Sequence, residues 1–344
     1  MAKLKQQTVW TSGEQGYHTY RIPALVKTVE DTLLAFCEGR KDGGSDAGTI
    51  DLLMKRSDDG GASWADAQVV VAEEDMTCGN PCPVVDRDTG TIWMPFCKNL
   101  GDGPETLICE GKAPRTVWLT WSEDDGRSWA EPIEITKDVK DPSWTWYATG
   151  PGHGIQLQSG RLLIPCDHIV GVNFDRKTDP YHSHVIYSDD HGKSWQIGGS
   201  VQNGTNGCEV AELKDGTVYI NCRNYVGDKR RASALSRDGG QTFGDFRWEE
   251  TLLEPICQAS VISLGDDRLI FANPASEKRE NLTVRLSANG GQDWSKGSVL
   301  HKGPSAYSDL VVQADGQIGC LYECGEGRPY ERLVYANFDV AWIA

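Results

Sequence analysis

The chain has 344 residues, with 34 Lys and Arg against 50 Asp and Glu, so its formal net charge at pH 7 is −16. This charge disfavours nucleic acid and anionic membrane surfaces as partners, because both repel an acidic protein. The sequence contains no run of 18 apolar residues, so no membrane span is predicted. Two average domains would fit this length, but an all-β ring of this size folds as one unit, so we expect a single domain over residues 1–344.

The N-terminus, MAKLKQQTVW, lacks the apolar core of a signal peptide. A signal peptide that had been cleaved off would leave the same sequence, so the sequence does not indicate the cellular compartment of the protein. Most of the 11 Cys lie in apolar, strand-like runs, which favours buried free thiols. The i,i+4 pairs Cys78/Cys82 and Cys320/Cys324 do not match the C-x-x-C spacing of a zinc site. We therefore expect neither a metal nor a cofactor.

The pattern Ser-x-Asp-x-Gly-x-x-Trp, here called the Asp box, occurs five times, and each copy follows a short apolar run. Asp and Asn accept hydrogen bonds from backbone amides in turns, and Gly allows positive φ. The final aromatic residue anchors the loop, so each box predicts a hairpin connection. The copies are Ser57–Trp64, Ser122–Trp129, Ser188–Trp195, Ser236–Phe243 and Ser287–Trp294.

Repeats of strands and tight turns at this spacing predict a radial array of small β-sheets. Strand-like runs alternate with turn clusters along the chain, and no long amphipathic helix is predicted. TVW near Val9 and RLVYANFDVAWI from Arg332 are both strand-like, so the two termini would complete one sheet and close the ring. With one more sheet after Trp294, the count predicts an all-β, six-bladed β-propeller with Asp-box hairpins.

Three arginines lie beside apolar strand-like runs, where exposure to solvent does not explain a charged side chain. Arg21 lies in YRIP, Arg223 ends the strand-like run VYINCRNY, and Arg279 precedes NLTVRLS. Arg285, within that last run, is a rival to Arg279. A buried guanidinium needs an anionic partner and binds a carboxylate in a planar, bidentate pair. A structural salt bridge would explain each arginine alone, whereas one shared carboxylate ligand would explain all three.

These motifs together resemble a known enzyme family. YRIP at Tyr20–Pro23, the five Asp boxes, GNPCPVVD at Gly79–Asp86 and SAYSDL…GCLYECG at Ser305–Gly325 resemble an exo-α-sialidase of the bacterial and animal type. The resemblance runs from Tyr20 to the end of the chain. Asp boxes occur in other propellers, so the order YRIP, AYSDL, LYE carries the specificity. The resemblance implies a six-bladed propeller with its active site on the central axis and a sialylated glycan as substrate.

The resemblance also implies the residues that bind the sugar. One of them, Asn80, is equally well explained as a turn residue before Pro81. The implied binding residues are Arg21, Arg223 and Arg279 on the sialic acid carboxylate, Glu323 beside the first arginine, Arg40 on the O4 side of the sugar, and Asn80 in the pocket.

Asp46, in the loop GGSDAG, matches the general acid of that family. A carboxyl in this role must be protonated, which a partly desolvated pocket favours. Asp42 and Asp51 are nearby rivals, although Asp51 opens a strand and suits a capping role better. Tyr307, in SAYSDL, matches the nucleophile. The anomeric carbon of sialic acid carries a carboxylate, so a neutral phenol avoids the repulsion that an anionic nucleophile would meet.

The base that takes the phenol proton is where this sequence departs from the family. The family pattern is Asn-Glu-x-Gln-Val-x-Glu-Leu, whereas this chain has NGCEVAEL, with Gly207 at the Glu position and Glu209 at the Gln position. Residues i and i+2 of a strand face the same side, about 6–7 Å apart. Glu209 would replace the missing carboxylate if Gly207 lets the backbone adjust. Glu212 points to the opposite face, so we predict Glu209 as the base.

The leading hypothesis is a retaining exo-α-sialidase that acts through a tyrosyl-glycosyl intermediate. A hydrolase of another nonulosonic or ulosonic acid, Kdn or Kdo, would use the same carboxylate clamp. Because Gly207 stands at the family's Glu position, a third hypothesis is a β-propeller that binds sialic acid and whose catalysis is weak or lost. Trp144–Tyr147 would fit the N-acyl pocket, but a core strand or a hairpin anchor suits this run better. His153 and His168 are predicted to be structural. Linkage preference and oligomeric state are not predicted.

Overall fold

A computed structural model describes residues 4–172, 181–202 and 204–343, and within these ranges β-strands predominate. Helical structure is confined there to α1 (Glu105–Cys109), α2 (Thr136–Val139) and a 3-10 turn at Val340–Trp342. The predicted all-β class is therefore confirmed. The strands are β1 (Lys5–Thr11), β2 (Thr19–Lys27), β3 (Leu33–Arg40), β4 (Ile50–Ser57), β5 (Gln68–Val71), β6 (Met76–Gly79), β7 (Val84–Val85), β8 (Ile92–Leu100), β9 (Arg115–Ser122), β10 (Ile133–Glu134), β11 (Trp144–Thr149), β12 (Ile155–Gln156), β13 (Leu162–Val170), β14 (Tyr181–Ser188), β15 (Gln196–Ser200), β16 (Thr205–Glu212), β17 (Val218–Asn224), β18 (Arg230–Ser236), β19 (Gly244–Leu253), β20 (Ser260–Ser263), β21 (Leu269–Pro274), β22 (Glu280–Ser287), β23 (Ser298–Val312), β24 (Ile318–Cys324) and β25 (Arg332–Phe338).

The strands pair mainly as antiparallel meanders, in which consecutive strands are neighbours. Within the described ranges, the strands form four sheets with the orders β1-β25-β24-β23-β22-β21-β20, β10-β9-β8-β6-β4-β3-β2, β11-β13-β14-β15 and β16-β17-β18-β19. The short strands β5, β7 and β12 pair with β4, β8 and β13. This arrangement is consistent with a β-propeller.

The first strand pairs with the last. In β1 and β25, Lys5 lies opposite Asn337 and Thr11 lies opposite Arg332. The N-terminal strand thereby completes the sheet that β23, β24 and β25 begin. This confirms the prediction that the two termini contribute to one sheet.

The five Asp boxes form the turns after β4, β9, β14, β18 and β22, as predicted. In each box the Ser hydroxyl accepts a hydrogen bond from the backbone N–H of the box Gly at 2.8–2.9 Å. In the first box, Asp59 accepts hydrogen bonds from the backbone and the hydroxyl of Ser63. Each turn therefore satisfies its own backbone donors, which makes it a self-contained hairpin connection.

The Gly of each box also packs against a side chain of another strand. In the first box this side chain comes from the C-terminal strand β25, and in the other four it comes from a strand earlier in the chain. Gly61 has φ +85, and a Cβ atom there would overlap the ring of Tyr335 on β25. Trp64 of the same box packs edge-on against Tyr335, with ring centres 5.3 Å apart. The boxes therefore join successive units laterally. The other close pairs are Gly126 with Leu34, Gly192 with Trp93, Gly240 with Leu163, and Gly291 with Tyr219.

Apolar side chains from adjoining strands fill the space within and between the sheets. All 11 Cys are buried free thiols, as predicted from their apolar strand contexts. Among the described helices, none has the length and apolar character needed to cross a bilayer.

Candidate active site

Three arginines surround one tyrosine in the wall of a pocket. The guanidinium of Arg21, on β2, lies 5.0 Å from the ring centre of Tyr307, and that of Arg279, just before β22, lies 5.5 Å from it. Arg223, on β17, donates from Nη1 to the Tyr307 hydroxyl at 3.0 Å. The structure thus brings together the three arginines that were predicted to bind the substrate carboxylate. Arg285 does not join them, because its Nη1 donates to Asn273 at 3.1 Å.

Glu323, on β24, holds Arg21 and the tyrosine strand together. Its Oε1 accepts from Arg21 Nε and from the backbone N–H of Ile22, both at 2.9 Å. Its Oε2 accepts from the backbone N–H of Tyr307 at 3.0 Å. Burial acts to lower the pKa of Arg21, but Glu323 and Tyr307 raise it well above its usual value, so Arg21 stays a cation. Glu323 lies where the resemblance implied.

Tyr330 is a contact that the sequence analysis missed. The guanidinium of Arg21 lies 4.2 Å from the Tyr330 ring centre, and Arg279 Nη1 donates to the Tyr330 hydroxyl at 2.7 Å. Tyr330 therefore fixes the orientation of two of the three arginines. Its turn-rich surroundings, EGRPYER, gave no strand pattern from which to predict this role.

Asp46 lies in the loop between β3 and β4 with its side chain 70% exposed. Its Oδ1 is 2.7 Å from Arg40 Nη2 and 3.5 Å from Arg21 Nη1. Partial burial acts to raise the pKa of Asp46, but Arg40 and Arg21 hold it below its usual value. The carboxyl was expected to be protonated. The two guanidinium groups favour the anion instead, because they stabilise its negative charge.

The predicted rivals of Asp46 have other contacts. Asp51 is buried and accepts from the Tyr17 hydroxyl at 2.7 Å, and it also pairs with Lys41 at 2.9 Å. Asp42 is exposed and does not line the pocket. Arg40 is held by Glu38, which accepts from its Nε and Nη2 at 3.0 and 2.7 Å.

Asn80 lines the same pocket and also has the positive φ of a turn residue, +57. Both readings of this residue therefore fit its position. Its Oδ1 accepts from Nη2 of Arg115 at 2.6 Å, and the guanidinium of Arg115 lies 4.2 Å from the ring centre of Trp146. Trp146, from the predicted run Trp144–Tyr147, lines the pocket, whereas Tyr147 is buried in the core.

Arg115 was missed although it carried the same signal as Arg21. It begins the apolar strand β9 and is 4% exposed. Arg21, Arg223 and Arg279 were singled out as arginines beside apolar strands, and the same criterion applies to Arg115.

Asp167, on β13, is a pocket residue that the sequence analysis also missed. It is 2% exposed, and its Oδ2 accepts from the backbone N–H of Gly207 at 3.2 Å. Its Oδ1 accepts from the indole N–H of Trp146 at 3.1 Å. Burial raises the pKa of Asp167 to about 6, and nearby Arg223 partly offsets this rise. A single acid inside the apolar run LLIPCDHIV was the available signal.

Glu209 does not line this pocket. It is 1% exposed, its Oε2 accepts from the backbone N–H of Val261 at 2.8 Å, and Gln258 Nε2 donates to its Oε1 at 3.3 Å. Burial and then the neighbouring Asp309 raise the pKa of Glu209 well above its usual value. Within the described ranges, no hydrogen bond joins Glu209 to Tyr307. Its role as the base stays a prediction that these contacts do not favour.

Glu209 belongs to a buried cluster with His153 and Asp309. His153 Nδ1 lies 2.7 Å from Asp309 Oδ1, and the backbone N–H of Leu25 donates to Asp309 Oδ2 at 2.6 Å. Burial acts to lower the pKa of His153, but Asp309 raises it overall. The side chains of this cluster already bond to one another and to backbone groups of other strands, which fits the structural role predicted for His153.

His168 also has structural contacts. Its ring stacks on Trp144 with centres 3.6 Å apart, and its Nδ1 lies 3.0 Å from His184 Nδ1. Burial lowers the pKa of His168, so the imidazole is neutral at physiological pH.

Comparisons with known proteins point in one direction. Residues 31–320 match the family model described as a BNR repeat-like domain. The chain is 33% identical to a sialidase of Micromonospora viridifaciens, covering 98% of this chain and 54% of that protein. It is also 33% identical to sialidase-3 of Rattus norvegicus, covering 97% of this chain and 94% of that protein. A solved Hadza microbial sialidase superposes with a TM-score of 0.87 at 30% identity, over 98% of this chain and 69% of that one.

Proposed function

This chain belongs to the BNR-repeat sialidase family, and we propose that it is a retaining exo-α-sialidase that removes terminal sialic acid from glycoconjugates. The chain spans about half the length of the Micromonospora relative and nearly all of the rat one. We also propose that its repeats form the six blades of a single β-propeller over residues 1–344. The pairing of β1 with β25 and the contact of the first Asp box with Tyr335 support ring closure.

The arrangement of Arg21, Arg223 and Arg279 around Tyr307 is the observation that carries the proposal. Among the described residues, neither Arg223 nor Arg279 forms an ion pair, although both lie in the pocket wall. Arg279 is half-buried and donates to two neutral oxygens, the Tyr330 hydroxyl and the Ile256 carbonyl, and a guanidinium in that setting favours an anionic ligand. The carboxylate of a sialoside would supply that charge and fix the anomeric carbon beside the phenol.

The proposed reaction has two displacements. The Tyr307 oxygen bonds to the anomeric carbon, its proton passes to a base, and the bond to the leaving oxygen breaks as Asp46 protonates that oxygen. Water then attacks the anomeric carbon, Asp46 takes a proton from the water, and Tyr307 leaves with its proton restored. Two inversions give overall retention.

The same charges explain how Asp46 would become an acid. Arg40 and Arg21 hold its pKa low. A substrate carboxylate bound to the arginine cluster would offset their positive charge and exclude water, and both effects would raise the pKa of Asp46. The general acid would therefore be protonated only with substrate bound.

The test is release of a fluorogenic aglycone from the α-glycoside of N-acetylneuraminic acid, run beside the Kdn and Kdo glycosides. We expect turnover of the first substrate and a loss of about 10²-fold or more in Tyr307→Phe, because the nucleophile is removed. Tyr187→Phe is the matched control, since Tyr187 contacts Gln196 outside the pocket.

The other outcomes would overturn parts of the proposal. Turnover of the Kdn or Kdo glycoside alone would reassign the sugar. Binding of N-acetylneuraminic acid without turnover, by a folded protein, would replace the enzyme with a binding propeller. Full activity in Tyr307→Phe would remove Tyr307 from the nucleophile role.

A further inference from the structure

We propose that Asp167 is the base that accepts the Tyr307 proton, in place of the carboxylate that is missing at position 207. This assignment rests on the proposed function, because a base is needed only if Tyr307 is the nucleophile. As the phenol oxygen bonds to the anomeric carbon, its proton passes to the Asp167 carboxylate. When the tyrosyl bond breaks in the second displacement, the Asp167 carboxyl returns that proton to Tyr307.

Asp167 and the phenol are both neighbours of Arg223 in the pocket wall, and among the described residues no direct hydrogen bond joins the two. Asp167 Oδ2 accepts from the backbone N–H of Gly207 at 3.2 Å. Gly207 lies against Arg223, since a Cβ atom on the glycine would be 3.2 Å from Arg223 Nε. Arg223 Nη1 donates to the Tyr307 hydroxyl at 3.0 Å. Asp167, Arg223 and Tyr307 all line the same pocket.

The donation from Arg223 also leaves the phenol proton available. The guanidinium has only N–H donors, so the Tyr307 oxygen is the acceptor in that bond. The phenol O–H is therefore free to point to another acceptor. Asp167 supplies a carboxylate in the wall next to Arg223, and its two bonded donors, Gly207 N–H and Trp146 Nε1–H, are neutral.

Gly207 allows the base to come from β13 instead of β16. The residue has φ +45, and β16 is irregular between Asn206 and Glu209. A side chain there would press against Arg223, so the glycine keeps the space beside Arg223 open. In the family pattern the carboxylate belongs to this strand. In this chain we assign it to Asp167 on β13, whose side chain accepts a hydrogen bond from the Gly207 N–H.

Glu209 is the alternative base, and its contacts place its carboxyl in a different environment. It is bonded to Val261 and Gln258 beside Asp309 and does not line the pocket. Asp167 does line the pocket, and burial raises its pKa to about 6. A carboxyl with that pKa is ionised at neutral pH and is a stronger proton acceptor than an ordinary Asp.

The titration of Asp167 depends on charged and titratable groups on five strands. Arg223 and Arg115 favour its anion, while burial opposes it. The remaining groups are thiols and a phenol whose pKa values burial raises, so they stay neutral near pH 6. The groups facing Asp167 are Arg223 on β17, Arg115 on β9, Tyr147 on β11, Cys166 on β13 and Cys208 on β16.

The test compares Asp167→Asn with Glu209→Gln on the fluorogenic sialoside, with Asp138→Asn on the exposed surface of α2 as the control. We expect Asp167→Asn to lower kcat by about 10²–10⁴-fold, the usual contribution of a general base. Asp167→Glu should recover part of this loss, since it restores a carboxylate. The kcat/KM of the wild type should fall below about pH 6, and this acid limb should be absent from the residual activity of Asp167→Asn.

Two kinetic results would overturn the assignment. One is a folded Asp167→Asn protein with wild-type kcat and an unchanged pH profile. The other is loss of turnover in Glu209→Gln with activity retained in Asp167→Asn, which would return the role to Glu209. If Asp167→Asn does not fold, carbon-13 NMR of labelled carboxyl groups in the wild type decides. A titration of Asp167 away from the acid limb of kcat/KM contradicts the proposal.

The controls separate this proposal from the sialidase function. Absence of turnover in the wild type would contradict the function itself. Wild-type turnover that Tyr307→Phe removes and Asp167→Asn leaves unchanged would contradict only the assignment of the base.

Discussion

At the scale of single residues, the proposed acid Asp46 is held by two arginine side chains. The carboxylate pairs with Arg40 at 2.7 Å and Arg21 at 3.5 Å, and these cations hold its pKa below the usual value. In the proposed reaction the acid function appears only after a substrate carboxylate offsets that charge. In this proposal, Arg21 links the acid electrostatically to the arginines that bind the substrate carboxylate.

Asp46→Asn should lower kcat for a sialylated glycan by about 10²–10⁴-fold, the usual contribution of a general acid. The loss should be much smaller for an aryl sialoside with a good leaving group, because such a phenol departs without protonation. Steady-state rates on the two substrates measure this difference. Asp42→Asn, an exposed change in the same loop, should keep wild-type rates on both. Equal losses on both substrates would contradict the acid role.

Which site residues could be predicted from sequence follows from where each signal lies. Arg21, Arg223 and Arg279 are charges beside apolar strands, and this local contrast was visible. Asp167 and Arg115 show the same contrast, yet no motif drew attention to them. The pairing of Asp167 with Gly207 depends on the contact between β13 and β16, 40 residues apart. Such a contact is a property of the sheet arrangement and cannot be read along one strand.

At the scale of elements, the Asp box combines two functions that its sequence encodes separately. The Ser and Asp side chains satisfy the backbone of the turn. The Gly allows a positive φ and also lets a side chain of another strand approach closely, which in the first box is the Tyr335 ring. The first function was predictable from turn chemistry. The second was not, because Tyr335 lies 274 residues along the chain from Gly61.

Gly61→Ala should destabilise the fold by about 1–3 kcal/mol more than Gly316→Ala, since a Cβ atom at position 61 would overlap the Tyr335 ring. Both glycines have positive φ, but Gly316 has no atom within 4 Å of its added Cβ. The control therefore carries the backbone strain without the steric overlap. Denaturant unfolding of both variants measures the difference, and equal destabilisation would show that the contact with Tyr335 adds nothing.

At the scale of the whole molecule, the cluster of His153, Glu209 and Asp309 ties strands from different sheets to one another. Asp309 on β23 accepts from the N–H of Leu25 on β2, and Glu209 on β16 accepts from the N–H of Val261 on β20. Burial beside Asp309 raises the pKa of Glu209, and Asp309 raises the pKa of His153. Both groups therefore hold their protons more tightly in the folded chain than in the unfolded one.

The sign of the pH dependence follows from this difference. A group whose folded pKa is raised contributes stability below its unfolded pKa and loses it as pH rises through the folded pKa. The unfolding midpoint should therefore fall as pH rises above 4.5, the ordinary pKa of Glu, and His153 should add to the fall above 6.5, the ordinary pKa of His. Each extra proton bound by the folded state corresponds to a slope of about 1.4 kcal/mol per pH unit.

Glu209→Gln should flatten this slope, because the amide is neutral at every pH and still offers hydrogen-bonding atoms to Val261 and Asp309. Thermal unfolding of the wild type and the variant across this pH range measures the effect. Glu250→Gln, an exposed change on β19, should leave the slope unaltered. A slope that Glu209→Gln does not change would show that Glu209 titrates alike in the folded and unfolded chains.

The central claim is that Tyr307 attacks the anomeric carbon before water does. Proton NMR of the reaction with an α-sialoside, recorded before the sugar mutarotates, identifies the anomer released first. Two displacements predict that the α-anomer appears first and that the β-anomer grows in later. Release of the β-anomer first would mean a single displacement by water, and Tyr307 would then not be the nucleophile.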